Sequence, residues 1–173
     1  MVALGASLYA AYKSDKSGLN DIQKTSIKNI SLQEITNKCF GTIIYKYNNS
    51  KQKDELVNDI LINKGEKLPC SITKEFVTIA DNQKVVDLTV TESTSPETDP
   101  RFVTKIWEDS MDLPPDRPAG RKLSFTYSYD ENQLMKCVFE DIESGKKINV
   151  ELNITSKENI DELDSEIEKF MVE

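Results

Sequence analysis

The chain of 173 residues contains no histidine, and this absence removes most of the side-chain chemistry that could be sought in it. Histidine is the commonest general base, the usual partner of serine and cysteine nucleophiles, and the commonest transition-metal ligand. Three cysteines remain, Cys39, Cys70 and Cys137. They are widely separated, odd in number and set in strand-like runs, which predicts buried reduced thiols rather than a disulfide framework or a metal site. Carboxylates are paired at Asp141/Glu143 and Asp161/Glu162. Such pairs can share a proton or hold calcium, but neither has the alternate-position spacing of a calcium loop. Their setting, in a turn or at a predicted helix start, predicts a solvated face. Gly120-Arg121-Lys122 and Gly145-Lys146 lack the glycine spacing of a phosphate loop and read as turns. Trp107, the single tryptophan, lies in Lys105-Ile106-Trp107-Glu108 and suits core or edge packing better than a ligand platform. No catalytic residue and no metal ligand set emerges, and a hydrolase ranks far behind any binding role.

Bulk properties narrow the classes further. The formal net charge is −8, a field that repels phosphates and opposes nucleic-acid binding while favouring basic or apolar peptide partners. Hydrophobic content of 38% with 30% charged residues predicts a soluble, globular protein rather than a membrane-embedded or disordered one, and the reduced thiols predict a cytoplasmic one. Sequons at Asn29, Asn48 and Asn153 stand without a secretory signal and read as chance. The opening MVALGASLYAAY is too short to span a bilayer and lacks the basic start of a signal peptide. Its Ala3, Ala6, Ala10 and Ala11, beside Leu4, Leu8 and Tyr12, suit a closely packed helix, the end of a further domain.

The elements that would position any site are mostly strands. A polar stretch over 13–28 reads as a linker. From Ile30 to Ile154 come short runs rich in Val, Ile, Thr, Tyr and Phe, near 30–36, 40–47, 55–62, 70–79, 84–92, 102–109, 122–129, 133–140 and 146–154. Turn residues separate them, among them Asn48-Asn49-Ser50, Asn63-Lys64-Gly65 and Glu143-Ser144-Gly145-Lys146. Regular spacing with such turns predicts an antiparallel β-sandwich. Within it, Leu68–Glu92 reads as a β-hairpin hinged on Asp81-Asn82-Gln83-Lys84. Ile72, Phe76 and Thr78 alternate with polar residues before the turn. After it Val86, Leu88 and Val90 form a dry face, and Asp87, Thr89 and Thr91 a wet one. Pro114, Pro115 and Pro118 make 109–120 a loop crossing between sheets. Beyond Ser156, Ile160, Leu163, Ile167 and Phe170 recur at helical steps.

The ordered set of these segments closely resembles the DnaK-type 70-kDa heat-shock chaperones. The resemblance runs through VALGASLYAAYKS, NISLQEITN, CFGTIIY and LPCSITKEFVTIADNQKVVDLTVTE, then PAGRKLSFTYSYDENQLMKCVFEDIESGKKINVELNI and NIDELDSEIEKFMVE. It implies a mainly β fold: residues 1–14 as the last helix of a nucleotide-binding domain, 15–36 as interdomain linker, 37–155 as the antiparallel peptide-binding sandwich, and 156–173 as a truncated lid helix. It implies that extended, apolar client peptides bind in a groove, regulated by ATP and magnesium in an N-terminal domain outside this fragment, with co-chaperones as further partners. The positions matching the pocket are Thr42, Ile44, Phe76, Val86, Leu88 and Leu123, and those matching the arch over the peptide are Tyr45 and Ile79. Leu88 and Leu123 fit a plain core position equally well.

Three departures from the family pattern stand out. The linker Ile30-Ser31-Leu32-Gln33-Glu34 is an aliphatic run interrupted by polar residues, so Ile30, Leu32 and Glu34 predict weaker docking to a nucleotide domain. Tyr45 and Ile79 are larger than the usual small arch residue. Ala119 stands where an arginine usually latches the lid, with Arg117 and Arg121 as candidate substitutes. The competing expectation is an adaptor sandwich that has lost general client binding and holds one dedicated partner. Exposed tails or an open groove would also promote self-association.

Overall fold

β-branched and aromatic residues suit a pleated, half-buried surface, and the runs rich in them become strands. The computed structural model describes residues 34–154. Its strands are β1 (Cys39–Asn48), β2 (Lys53–Ile62), β3 (Cys70–Val77), β4 (Val85–Ser93), β5 (Thr104–Asp112), β6 (Lys122–Tyr129), β7 (Leu134–Asp141) and β8 (Lys147–Asn153), with a 3-10 turn over Pro100–Phe102. They form two antiparallel four-stranded sheets, ordered β2-β1-β4-β5 and β3-β6-β7-β8. The predicted helix over 1–14, Ile30 and Leu32 of the predicted linker, and the predicted helix over 156–173 lie outside the described residues. Glu34 is half-buried, and Ile35 makes an isolated bridge to Lys67. Among the described residues no helix is long and apolar enough to cross a membrane.

The sheets pack face to face through aromatic side chains. Trp107 of β5 stacks on Phe139 of β7 at 5.4 Å, and Phe40 of β1 meets Tyr129 of β6 edge-on at 5.3 Å. Phe125 and Phe139 meet at 79° with centroids 4.9 Å apart, the edge-to-face geometry that the aromatic quadrupole favours. Strands β6 and β7 alternate buried and solvent-facing residues along their length, and Phe125, Tyr127, Met135 and Phe139 fill the interior against Phe40, Leu88, Val90 and Met111. Each such burial contributes roughly 1.5–3 kcal/mol. On the outer face of sheet two, hydroxyl pairs Ser71–Ser128 and Thr73–Thr126, both at 2.8 Å, tie β3 to β6. Cys39 and Cys137 are buried free thiols, and Cys70 is half-buried. Burial pushes the Cys137 thiol up to about 12, which keeps it protonated and inert.

The predicted hairpin over Leu68–Glu92 is not formed. Strand β3 pairs with β6 and β4 pairs with β1 and β5, so the 78–84 segment carries the chain from one sheet to the other. Alternation specifies which face of a strand is buried, not which strand lies beside it. The expected alternation does hold on β3, with Ile72 and Phe76 turned inward. On β4 it fails, because Thr89 and Thr91 are buried along with Leu88 and Val90. Loop 113–121 crosses between sheets as the prolines predict, although β5 runs on to Asp112 before it starts.

Gly41 has no room for a side chain against β2. A Cβ there would meet the Asp59 carbonyl oxygen at 2.7 Å and Asn58 Oδ1 at 2.8 Å. Gly41→Ala is therefore expected to destabilise the sandwich by about 1–3 kcal/mol. Urea unfolding should show a lower midpoint with an unchanged slope.

Candidate functional site

Sheet one opens into two arms. Strand β1 pairs with β4 only through Cys39↔Ser93, Phe40↔Glu92 and Gly41↔Thr91. Beyond Gly41 it continues to Asn48 beside β2 alone, while β4 back to Val85 runs beside β5 alone. Register shifts fall at Phe40/Gly41 on the β1–β2 pair and at Val90/Thr91 on the β4–β5 pair, both at the level of the fork. Such irregularities bend a strand pair, and here they let the arms diverge.

Side chains replace the missing ladder at the fork. The Ile43 N–H donates to Thr89 Oγ1 at 2.8 Å, and the Thr42 and Thr89 hydroxyls lie 3.4 Å apart. From sheet two, the Tyr127 hydroxyl stands 3.1 Å from the Gly41 carbonyl and 3.0 Å from the Thr89 carbonyl, sharing one proton between the two strands. Burial raises the Tyr127 phenol well above its ordinary range, so it stays a donor. Thr91 donates to Asn58 Oδ1 at 2.5 Å, and the Asn58 amide donates to the Glu97 carbonyl at 2.8 Å. These contacts satisfy groups that would be costly to bury unpaired.

Between the arms lies a cavity of about 540 Å³. Ile43, Ile44, Tyr45 and Leu56 line it from one arm, Val85, Val86, Asp87 and Thr89 from the other, and Phe76, Leu123 and Phe125 from sheet two. Phe76 and Phe125 pack ring to ring at 4.8 Å. Tyr45 is 54% exposed and Ile79 57%, which places both on the rim rather than in the wall. Leu56, Val77 and Val85 are also exposed, so the mouth is an apolar patch. Charged groups sit among them: Asp87, Glu75 paired with Lys122 at 2.8 Å, and Lys105 paired with Glu108 at 3.0 Å.

Of the residues singled out in the sequence, Ile44, Tyr45, Phe76, Ile79, Val86 and Leu123 are brought together around this cavity. Thr42 and Leu88 are not. Both are fully buried: Thr42 faces Thr89 inside the fork, and Leu88 belongs to the core between the sheets. Leu56, Val85 and Phe125 were not singled out, although Leu56, opposite Tyr45 in the β1–β2 register, is the conspicuous apolar residue in a charged run.

The Ile79 side of the rim rests on loop 113–121. The Ile79 N–H donates to Gln83 Oε1 at 3.0 Å, Asn82 N–H to the Arg117 carbonyl at 2.7 Å, and Ala119 N–H to Asp81 Oδ1 at 2.8 Å. Arg117 in turn reaches both carboxylate oxygens of Asp141, at 2.5 and 3.0 Å, and Glu143 at 2.6 Å. Asp141 is thus no part of a solvated face. It is completely buried, because the arginine and the Ser144 hydroxyl at 2.6 Å replace its water. Arg121 also pairs with Glu143, so both candidate lid-latching arginines are engaged within the sandwich. No protein-family model matches the chain.

Two outcomes follow from these polar contacts. Tyr127→Phe should cost about 1–2 kcal/mol by stranding two carbonyls at the fork, measurable by thermal unfolding. For Asp141, the Arg117 guanidinium outweighs burial and holds the carboxyl below its ordinary value. Its stabilisation is full above the unfolded value of about 3.9 and is lost as pH falls through the lower folded one. Asp141→Asn should cost about 1–3 kcal/mol near pH 7, because Arg117 loses its two-pronged contact with the carboxylate and keeps Glu143 alone. Denaturation at a series of pH values should show that difference narrowing below pH of about 4.

Proposed function

We propose that this chain is a peptide-binding module of the DnaK-like kind, which grips extended apolar segments of unfolded proteins in the cleft between the two arms. The observation that carries the reading is the open cavity itself: its walls are apolar, Tyr45 and Ile79 stand at its rim, and its own side chains do not fill it. A filled pocket would have favoured the dedicated-partner adaptor. The volume of about 540 Å³ falls within the range of ligand pockets. It accommodates one large apolar side chain together with part of a peptide backbone.

The physics suits low selectivity. Beyond the fork, the facing edges of β1 and β4 have left the ladder, and an extended peptide can hydrogen-bond to such edges whatever its sequence. Burying one leucine contributes roughly 1.5–3 kcal/mol, and ordering the peptide offsets much of it. Binding by this chain alone is accordingly weak and quickly reversed. The acidic balance of −8 favours clients with flanking Lys or Arg. On this reading the chain performs no catalysis, works in the cytoplasm, and takes its control from an ATP- and magnesium-dependent domain through Ile30, Leu32 and Glu34, with co-chaperones assisting.

Fluorescence anisotropy of a labelled leucine-rich heptapeptide with basic flanks tests the proposal. Saturable binding is expected, and Val86→Phe, which fills the cavity from β4, should weaken it at least about tenfold, or 1.4 kcal/mol, with an unchanged circular dichroism spectrum. Absence of binding to a folded wild-type chain would overturn the client reading in favour of the dedicated-partner adaptor.

A further inference from the structure

The rim residue Ile79 belongs to a turn held both within itself, through Gln83, and by a loop distant in sequence. Its turn carries Asn82 at φ 51°, a left-handed conformation held by contacts from a distant loop. Asn82 Oδ1 accepts from the Asp116 N–H at 3.0 Å, and Asp116 is itself left-handed at φ 58°. Together with the Asn82–Arg117, Asp81–Ala119 and Lys84–Leu113 bonds, this makes four hydrogen bonds between two irregular segments. Farther back, Thr78 exchanges backbone hydrogen bonds with Gly120 and Arg121, at 2.8 and 2.9 Å. The second segment is fixed in its turn by the Arg117 fork on the buried carboxylate of Asp141. Neither Arg117 nor Asp141 touches the mouth of the large cavity.

We propose that the Arg117–Asp141 pair is a brace that sets the position of Ile79, and so governs how fast a peptide enters and leaves the cleft. This rests on the peptide-binding reading of that cleft. The argument is geometric. A planar guanidinium on both oxygens of one carboxylate fixes orientation as well as distance. The backbone of Arg117 accepts the Asn82 N–H, so the orientation passes to the turn through one residue. Loosening any link frees the turn to move while the two sheets, held by their own core, stay packed. A rim that moves more often lets peptide in and out more often. Capture and release should therefore rise together, with little change in their ratio.

Two variants separate this from simple loss of stability. Asp81→Ala removes the carboxylate that holds the Ala119 N–H at an exposed site, and Arg117→Lys keeps the charge but loses the fork. Amide hydrogen exchange on the free chain is expected to quicken over 78–84 and 116–121 in both variants, leaving β1, β2 and β7 unchanged. Stopped-flow with the labelled heptapeptide should show association and dissociation rates both raised, by roughly the fivefold that one hydrogen bond represents. Exchange over 78–84 that stays at the wild-type rate, or quickens throughout the sandwich, would overturn the brace. So would locally faster exchange accompanied by unchanged peptide rates. If wild-type protein binds no peptide, the client reading fails and with it the control of peptide traffic. The exchange pattern then decides whether the brace holds Ile79.

Discussion

Everything about the cleft depends on the point where β1 and β4 stop being neighbours. A sheet that closed fully would bury the faces of Ile43 and Val85 in an unbroken ladder and leave no cavity. Here the ladder ends after Gly41↔Thr91, and a threonine hydroxyl takes the Ile43 N–H in place of a backbone carbonyl. A side chain can end a ladder in this way only if it is itself held. The Tyr127 hydroxyl, reaching across from sheet two to both strands, supplies that fixation. The fork is therefore a polar device inside an apolar sandwich, and its cost is contained because its hydroxyl and amide groups find partners.

The two sheets divide the work accordingly. Sheet two is regular, with full pairing along β6 and β7 and an alternating interior of Phe125, Tyr127 and Phe139. It provides a stiff platform whose end residues, Phe76 and Leu123, reach into the cavity. Sheet one carries both register shifts and both arms. The Trp107–Phe139 stack joins the regular sheet to the irregular one on the β5 side, and Phe40–Tyr129 does so on the β1 side, below the fork. Packed cores oppose continuous deformation, so motion at the rim need not spread into the platform.

Much of this layout could be read from the chain. Eight of the nine strand-like runs correspond to β1–β8, because short β-branched runs bounded by Asn, Gly and Asp turns leave few alternatives. The three prolines placed the sheet-crossing loop. What could not be read was partnership. The alternation of β3 and β4 is that of a hairpin, and only the global packing sends them to different sheets. Thr89 and Thr91 read as solvent-facing because threonine is at home on a wet strand face. Their burial depends on Asn58, Ile43 and Tyr127, which are 33, 46 and 38 residues away. Asp141 read as a surface charge for the same reason, since its partner Arg117 lies 24 residues upstream in a loop. The cavity residues were found where strand faces were enough, as at Phe76 and Val86. Thr42 and Leu88 lie outside the cavity because their side chains are taken up by Thr89 and by the core between the sheets.

Leaving two facing strand edges out of the ladder creates a hazard as well as a site. An unpaired edge beside exposed apolar side chains is a template for any extended segment, including one from a second copy of the same chain. Three features oppose that outcome. Asp87 on β4 and Lys105 on β5 put charge at the cavity, which disfavours an apolar strand lacking a matching charge. Copies that each carry −8 repel one another over a Debye length. Finally, the arms are joined at the fork by side-chain contacts, which resist further splitting of the sheet. An acidic composition and a forked sheet therefore act together: the edges left out of the ladder are flanked by charge that opposes pairing with an identical chain.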